Sequence, residues 1–202
     1  MSKPDYTTEI VNFNVDWNFI KEGCMATIGK GAGKTPNTEW RQKLLICQHS
    51  PIRRGVVSWK WQGIPYSNMG HFVRHHVGCT PFVSTSRSDR TGIDRDERKQ
   101  TDLVSMEMDA NIQSLIDMAG RRLCLQSDPV TRTYMKSLVE QIEKYDKTLA
   151  WRLVPQCINY GACIEPFGNC KHFDSFAEEL TKEELTDMTK RLNKYHDYRN
   201  KM

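Results

Sequence analysis

The chain opens with a short alternation. Val11, Phe13 and Val15 are separated by Asn12 and Asn14, which predicts a strand near 8–15. A second alternation, Val57, Trp59 and Trp61 against Ser58 and Lys60, predicts a half-buried strand near 55–62. Elsewhere the apolar period changes to that of a helix. Trp40, Leu44 and Cys47 share one face of a segment over 38–48. Ser67 is placed to cap a helix near 67–77 that carries Phe72, Val73, His76 and Val77. Ile112, Leu115, Ile116, Ala119 and Leu123 form one face over 111–124. Asp128-Pro129 supplies a cap and a first-turn proline for a helix over 129–146, with Met135, Leu138, Ile142 and Tyr145 along one side. Thr181 and Glu184 form a capping box, stapled by Leu180 and Leu185, at the start of a helix over 181–195. Residues 84–102 are polar and charged and read as a long exposed connection, a kind of segment that is often functional. The sum is an α+β fold, a small antiparallel sheet packed with helices.

Composition narrows the class. The 202 residues suffice for one substantial core, so 1–202 is read as a single domain with a cysteine-containing loop at 155–172. No apolar run approaches a membrane span, and the first residues carry no apolar signal core. A cytoplasmic protein is expected. Seven cysteines in such a chain point to reduced thiols or metal ligands. The net charge of +4 accommodates anionic small molecules without arguing for nucleic acid.

Candidate chemistry lies in basic clusters. Arg74-His75-His76 precedes a Ser/Thr/Arg run ending Arg87-Ser88-Asp89-Arg90. Guanidinium forks and switchable imidazoles suit a phosphate-bearing ligand; a solvated basic helix end is the plainer reading. Arg121 and Arg122 interrupt an apolar helix, and an arginine beside a buried face calls for an anion, a carboxylate or solvent. Arg95 sits in a mixed charge run that reads as a solvated loop. Gly33-Lys34-Thr35 imitates a phosphate-binding loop, but Ile28 stands where its first glycine belongs and Pro36 opposes the following helix. Cys157, Cys163, Cys170 and His172 could supply four zinc ligands, with Cys124 as a substitute. That loop motivates one reading of another class, a zinc-stabilised nucleic-acid-binding module. No nucleophilic triad emerges.

The order His49-Ser50-Pro51, the strand at 56–61, Arg74-His75-His76 and Thr85-x-Arg87 resembles the flavin-dependent thymidylate synthases. Phe-Val-x-Thr-x-Arg-x-Asp-Arg-Thr-Gly at 82–92, Arg-Leu-Cys at 122–124 and the Pro-x-Cys loop resemble short bacteriophage variants of that family. The likeness spans roughly residues 10–172. It implies the thymidylate-synthase-complementing-protein fold, a homotetramer with flavin held between subunits, and location in the cytoplasm, the host's if phage-encoded. It implies FAD binding by Arg74, His75 and His76, and deoxyuridylate (dUMP) binding by Thr85, Arg87, Arg95 and Arg122. Arg122, closing the helix that starts at Asn111, would activate the pyrimidine. Methylenetetrahydrofolate and NADPH are the implied co-substrates, and the implied reaction is reductive methylation of dUMP at C5. The chain departs from the signature. His76 replaces an arginine, Cys79 replaces a serine, Thr85 aligns only with one inserted residue, and no Asn-Glu precedes it. These departures motivate an alternative, a relative that installs another one-carbon group such as hydroxymethyl, or that accepts another pyrimidine nucleotide.

Overall fold

A computed structural model describes residues 6–199. Strands β1 (Thr7–Asn14), β2 (Val56–Pro65), β3 (Cys79–Val83) and β4 (Leu103–Asn111) form one antiparallel sheet in the order β1-β2-β4-β3. The tryptophan alternation behaves as its period requires. Trp59 pairs with Met108 and Trp61 with Met106, and all four side chains are fully buried. Strand β4 carries an equally clear period, Val104, Met106, Met108 and Ala110 buried between Ser105, Glu107 and Asp109, which the sequence analysis left unassigned. Strand β3 also went unassigned. It contains Pro81, which has no N–H to donate, and it sits at the sheet edge where only β4 flanks it.

Helices cover the sheet. In chain order, α1 (Trp17–Ala26) and α2 (Thr38–Cys47) precede β2, with a 3-10 turn at Ser50–Arg54 between α2 and β2. Helix α3 (Tyr66–Val73) follows β2, and α4 (Ser88–Thr91) lies in the 84–102 connection with a 3-10 turn at Arg95–Glu97. Helices α5 (Ile112–Arg122) and α6 (Pro129–Tyr145) follow β4. Asp128 caps α6 as expected, accepting from Thr131 N at 2.7 Å, and also accepts from Asn68 Nδ2 at 2.5 Å. Tyr134 of α6 reaches across to the Gly63 carbonyl at 2.6 Å, and Phe13 stacks on Tyr145 at 5.1 Å, so α6 lies against β1 and β2. Helix α7 (Lys147–Arg152) completes this main core. A smaller core forms from α8 (Gln156–Tyr160), α9 (His172–Ala177), α10 (Lys182–Thr186) and α11 (Met188–Arg199) around Ile158, Phe173, Phe176, Leu192 and Tyr195.

Two helix readings are corrected. Ser67 is not the cap of α3, which starts one residue earlier. The N–H groups of Tyr66 and Ser67 are taken by the carbonyls of Asp102 (2.9 Å) and Gln100 (3.0 Å), so neighbouring backbone replaces a side-chain cap. The helix ends at Val73, which leaves His76 and Val77 in the turn that follows. The segment 181–195 is not continuous. Its capping box forms as read, but Asp187 is extended (φ −85°, ψ 113°), and its carboxylate accepts from Lys190 N at 3.0 Å at the start of α11. Among the described residues, no helix is long and apolar enough to cross a membrane.

Candidate active site

The turn after α3 is docked along α5. Asn111 caps α5 by accepting from Ser114 N (3.0 Å), its own N–H donates to Gly78 O (3.1 Å), and Ser114 Oγ donates to Val77 O (2.7 Å). Gly78 has φ +68°, and a Cβ there would lie 2.3 Å from Ser114 Oγ. Only glycine fits both that backbone conformation and that contact. At the other end of α5, Arg122 Nε donates to His75 Nε2 at 2.9 Å. The hydrogen-bonded segment 75–78 thus runs the length of α5 and joins two motifs 47 residues apart.

These elements wall a cleft of about 1070 Å³. Its lining includes Arg53, Arg74, Arg121, Arg122 and Arg152 against a single carboxylate, Asp117. None of the five arginines forms an ion pair among the described residues. Burial lowers the Arg122 pKa, and Arg121 and Arg74 add to the shift by like-charge repulsion. His75 is pushed down to about 4, first by burial and then by Arg122, Arg121 and His76. It is therefore neutral at pH 7. Because Arg122 has only donors, His75 Nε2 is the acceptor and the ring proton resides on Nδ1. A concave site with unpaired guanidinium groups and little negative charge is built for an anion, and phosphates are the matching chemistry. The excess of arginines and the size of the cleft fit a phosphate-bearing ligand.

The other sequence candidates divide. His76 joins Arg74 and His75 in the cleft lining, with Nδ1 3.0 Å from Arg74 O. Thr85, Arg87 and Arg95 do not join them. Thr85 Oγ1 accepts from Arg87 N at 3.2 Å, and Arg87 is bound to Asp89 through two bonds of 2.9 and 2.8 Å on the surface. Arg95 is exposed on its 3-10 turn. The single chain does not gather these three residues with Arg122, because β3 carries the connection away from α5. Cys124, Cys157, Cys163, Cys170 and His172 line one neighbouring cavity of about 300 Å³, which shares Arg121, Arg122 and Gln156 with the cleft. Among the described residues no three His, Cys, Asp or Glu are set to hold a metal ion. His172 instead packs on Tyr195 and Tyr198, and burial pushes the Cys157 thiol up to about 12. The glycine-rich 29–35 segment is an irregular loop that lines neither cavity.

Sequence reasoning missed Arg53, Arg152, Gln156 and Asn159. Arg152 left a signal, a charge inside the apolar run Trp151-Arg152-Leu153-Val154. The carboxamides of Gln156 and Asn159 left none.

The architecture has known counterparts. A UMP/dUMP methylase, PolB from Streptomyces cacaoi bound with 5-Br dUMP, superposes with TM-score 0.62 over 74% of this chain and 95% of that one, at 10% identity. Thymidylate synthase X from Helicobacter pylori with FAD and dUMP gives TM-scores of 0.57 and 0.60 in two structures, at 11% identity, covering 71% and 73% of this chain and 99% of that one. The chain has the fold of the flavin-dependent thymidylate synthases. No protein-family model matches the sequence, and no curated protein matches it.

Proposed function

We propose that this chain is a thymidylate-synthase-like flavoenzyme that methylates dUMP at C5. The observation that carries the reading is the 2.9 Å bond from Arg122 to His75 at the head of an arginine-lined cleft. Two residue sets implied independently by the resemblance, one for flavin and one for the pyrimidine, meet at that bond. The fold neighbours with FAD, dUMP and 5-Br dUMP support the same chemistry.

The division of labour follows from charge. Arg74, with His75 and His76, would hold the anionic part of FAD. When bound, FAD supplies the redox chemistry, methylenetetrahydrofolate the one-carbon unit and NADPH the reducing equivalents. Arg122, half-buried and free of any carboxylate, would present its planar fork to the pyrimidine and stabilise negative charge developing on the ring. His75 accepts from Arg122 without contributing a charge, which holds the guanidinium in place and leaves its positive charge for the substrate. Thr85, Arg87 and Arg95 would complete the nucleotide site from a neighbouring copy in a homotetramer. Light scattering showing a monomer in the presence of FAD would contradict that sharing.

The departures at His76 and Cys79 and the UMP/dUMP methylase among the fold neighbours favour one second reading, a relative with altered nucleotide or one-carbon preference. Incubation with dUMP, FAD, NADPH and methylenetetrahydrofolate, followed by mass spectrometry, separates the two. Thymidylate as the sole product supports the first reading, and a hydroxymethyl product the second. A colourless protein that takes up no FAD refutes both.

A further inference from the structure

Two fully or nearly buried arginines hold α8, and among the described residues neither has a carboxylate partner. Arg191, 5% exposed, donates from Nε to Ile158 O (2.7 Å), from Nη2 to Asn159 O (2.9 Å), and from Nη1 to Leu185 O. It satisfies the carbonyls at the end of α8 that the helix itself leaves free. Arg152, 0% exposed, donates from Nε to Leu45 O (3.1 Å) and from Nη1 to Asn159 Oδ1 (2.5 Å). A buried cation without a counter-ion costs stability, so such a pair on one short helix asks for a reason.

The reason lies in what Arg152 does to Asn159. Arginine has no acceptor, so the atom facing it must be the amide oxygen, and the orientation of the carboxamide is fixed. The amino group Nδ2 is turned the other way, to within 3.8 Å of the Cβ position of Gly120 on α5, among the cleft-lining residues. Among the described residues Nδ2 has no hydrogen-bond partner, and Asn159 is only part-buried, so Nδ2 remains open to a ligand. A Cβ at Gly120 would make only ordinary van der Waals contact with α8, 3.6 Å from Gln156 Cβ.

We propose that Asn159 is a specificity-determining donor of the cleft, held by Arg152 so that Nδ2 donates to the 4-keto oxygen of the bound pyrimidine. This deepens the dUMP reading and rests on it. The phosphate has other arginines of the cleft to meet, Arg53 and Arg121 among them, and a neutral amide adds little for a dianion. A carbonyl on a neutral ring is the natural partner of an amide N–H. The same donor disfavours a ring carrying an exocyclic amino group at that position, since two donors would face each other and both would go unpaired.

The test is calorimetric titration of the FAD-loaded full chain with dUMP, dCMP and deoxyuridine. Wild type should bind dUMP more tightly than dCMP by about tenfold or more. In Asn159→Ala, dUMP and deoxyuridine binding should each weaken roughly tenfold while dCMP binding stays put, so the preference collapses. Asn159→Asp keeps an acceptor for Arg152 and turns a second acceptor to the cleft, and should shift the preference toward dCMP; it also serves if the alanine variant is unstable. An unchanged preference in both variants overturns the inference while leaving the dUMP reading intact. Equal weakening of dUMP and dCMP with deoxyuridine unaffected would put Nδ2 on the phosphate and overturn it too. Wild type that binds none of the three removes the dUMP reading and this inference with it.

Discussion

Arg74, His75 and His76 precede β3, and Thr85, Arg87 and Arg95 follow it, so one strand of five residues separates two basic stretches. The first stretch is pinned to α5 by Gly78, Val77 and His75, and its charges meet Arg121 and Arg122 with no ion pair among the described residues. The second stays on the surface, where Arg87 spends its fork on Asp89 with both side chains more than half exposed. Within the first stretch, burial and like-charge crowding act on His75 and on the Arg122 bonded to it, while Arg74 and His76 are themselves exposed. The lesson is that basic composition alone does not make an anion site. A site needs cations held together by the backbone and deprived of carboxylates, and only the first stretch meets both conditions within one chain.

The most severe test of that contrast is Arg122→Ala. Turnover should fall by roughly 100- to 1000-fold while fold and flavin content persist, and Arg122→Lys should restore little of it. Steady-state kinetics beside the flavin spectrum would check this, and near-normal turnover would remove Arg122 from the chemistry. Next in size is Arg74→Ala, which should weaken FAD binding by about 1.5–3 kcal/mol in fluorescence titration, with His75→Ala weakening it also. If both bind FAD normally, the first stretch is not the flavin site.

Gly78→Ala probes the scaffold under that stretch. Its positive φ and the 2.3 Å approach to Ser114 should lower unfolding stability by about 1–3 kcal/mol in denaturant titration. A neutral result would mean the turn is not held as described.

Acid should act on the same stretch. His75 has its folded pKa pushed down to about 4 from an ordinary 6.5, so between these values the unfolded chain binds the extra proton. Stability therefore declines as pH falls from about 6.5 to about 4, and half-buried His172 and His196, also shifted down, add to the decline. His75→Asn should flatten part of this slope in unfolding curves taken across that range. The smallest effect is expected on the surface side. Arg87→Ala and Arg95→Ala should each change stability by less than about 0.5 kcal/mol, since exposed pairs are worth little. If a neighbouring copy uses these residues, the same variants raise the dUMP concentration needed for half-maximal rate. Unchanged kinetics would leave them as surface charges only.

Period, caps and Cys spacing were readable along the chain because they depend on neighbours within a few residues. The strand with Trp59 and Trp61, the apolar face of helix α5, and the Asp128-Pro129 start of α6 all follow from such local rules. So would β4, whose strict alternation went unread beside a charged connection. The sequence order also carried the likeness to the flavin-dependent thymidylate synthases, which the fold matches. Tertiary structure alone decided which charges meet. That His75 accepts from Arg122, that Arg87 turns to Asp89, and that Arg152 aims Asn159 at the cleft depend on residues brought together across the fold. Electrostatic energy falls with distance in space and with exposure to water, and neither quantity is written in the spacing of residues along the chain.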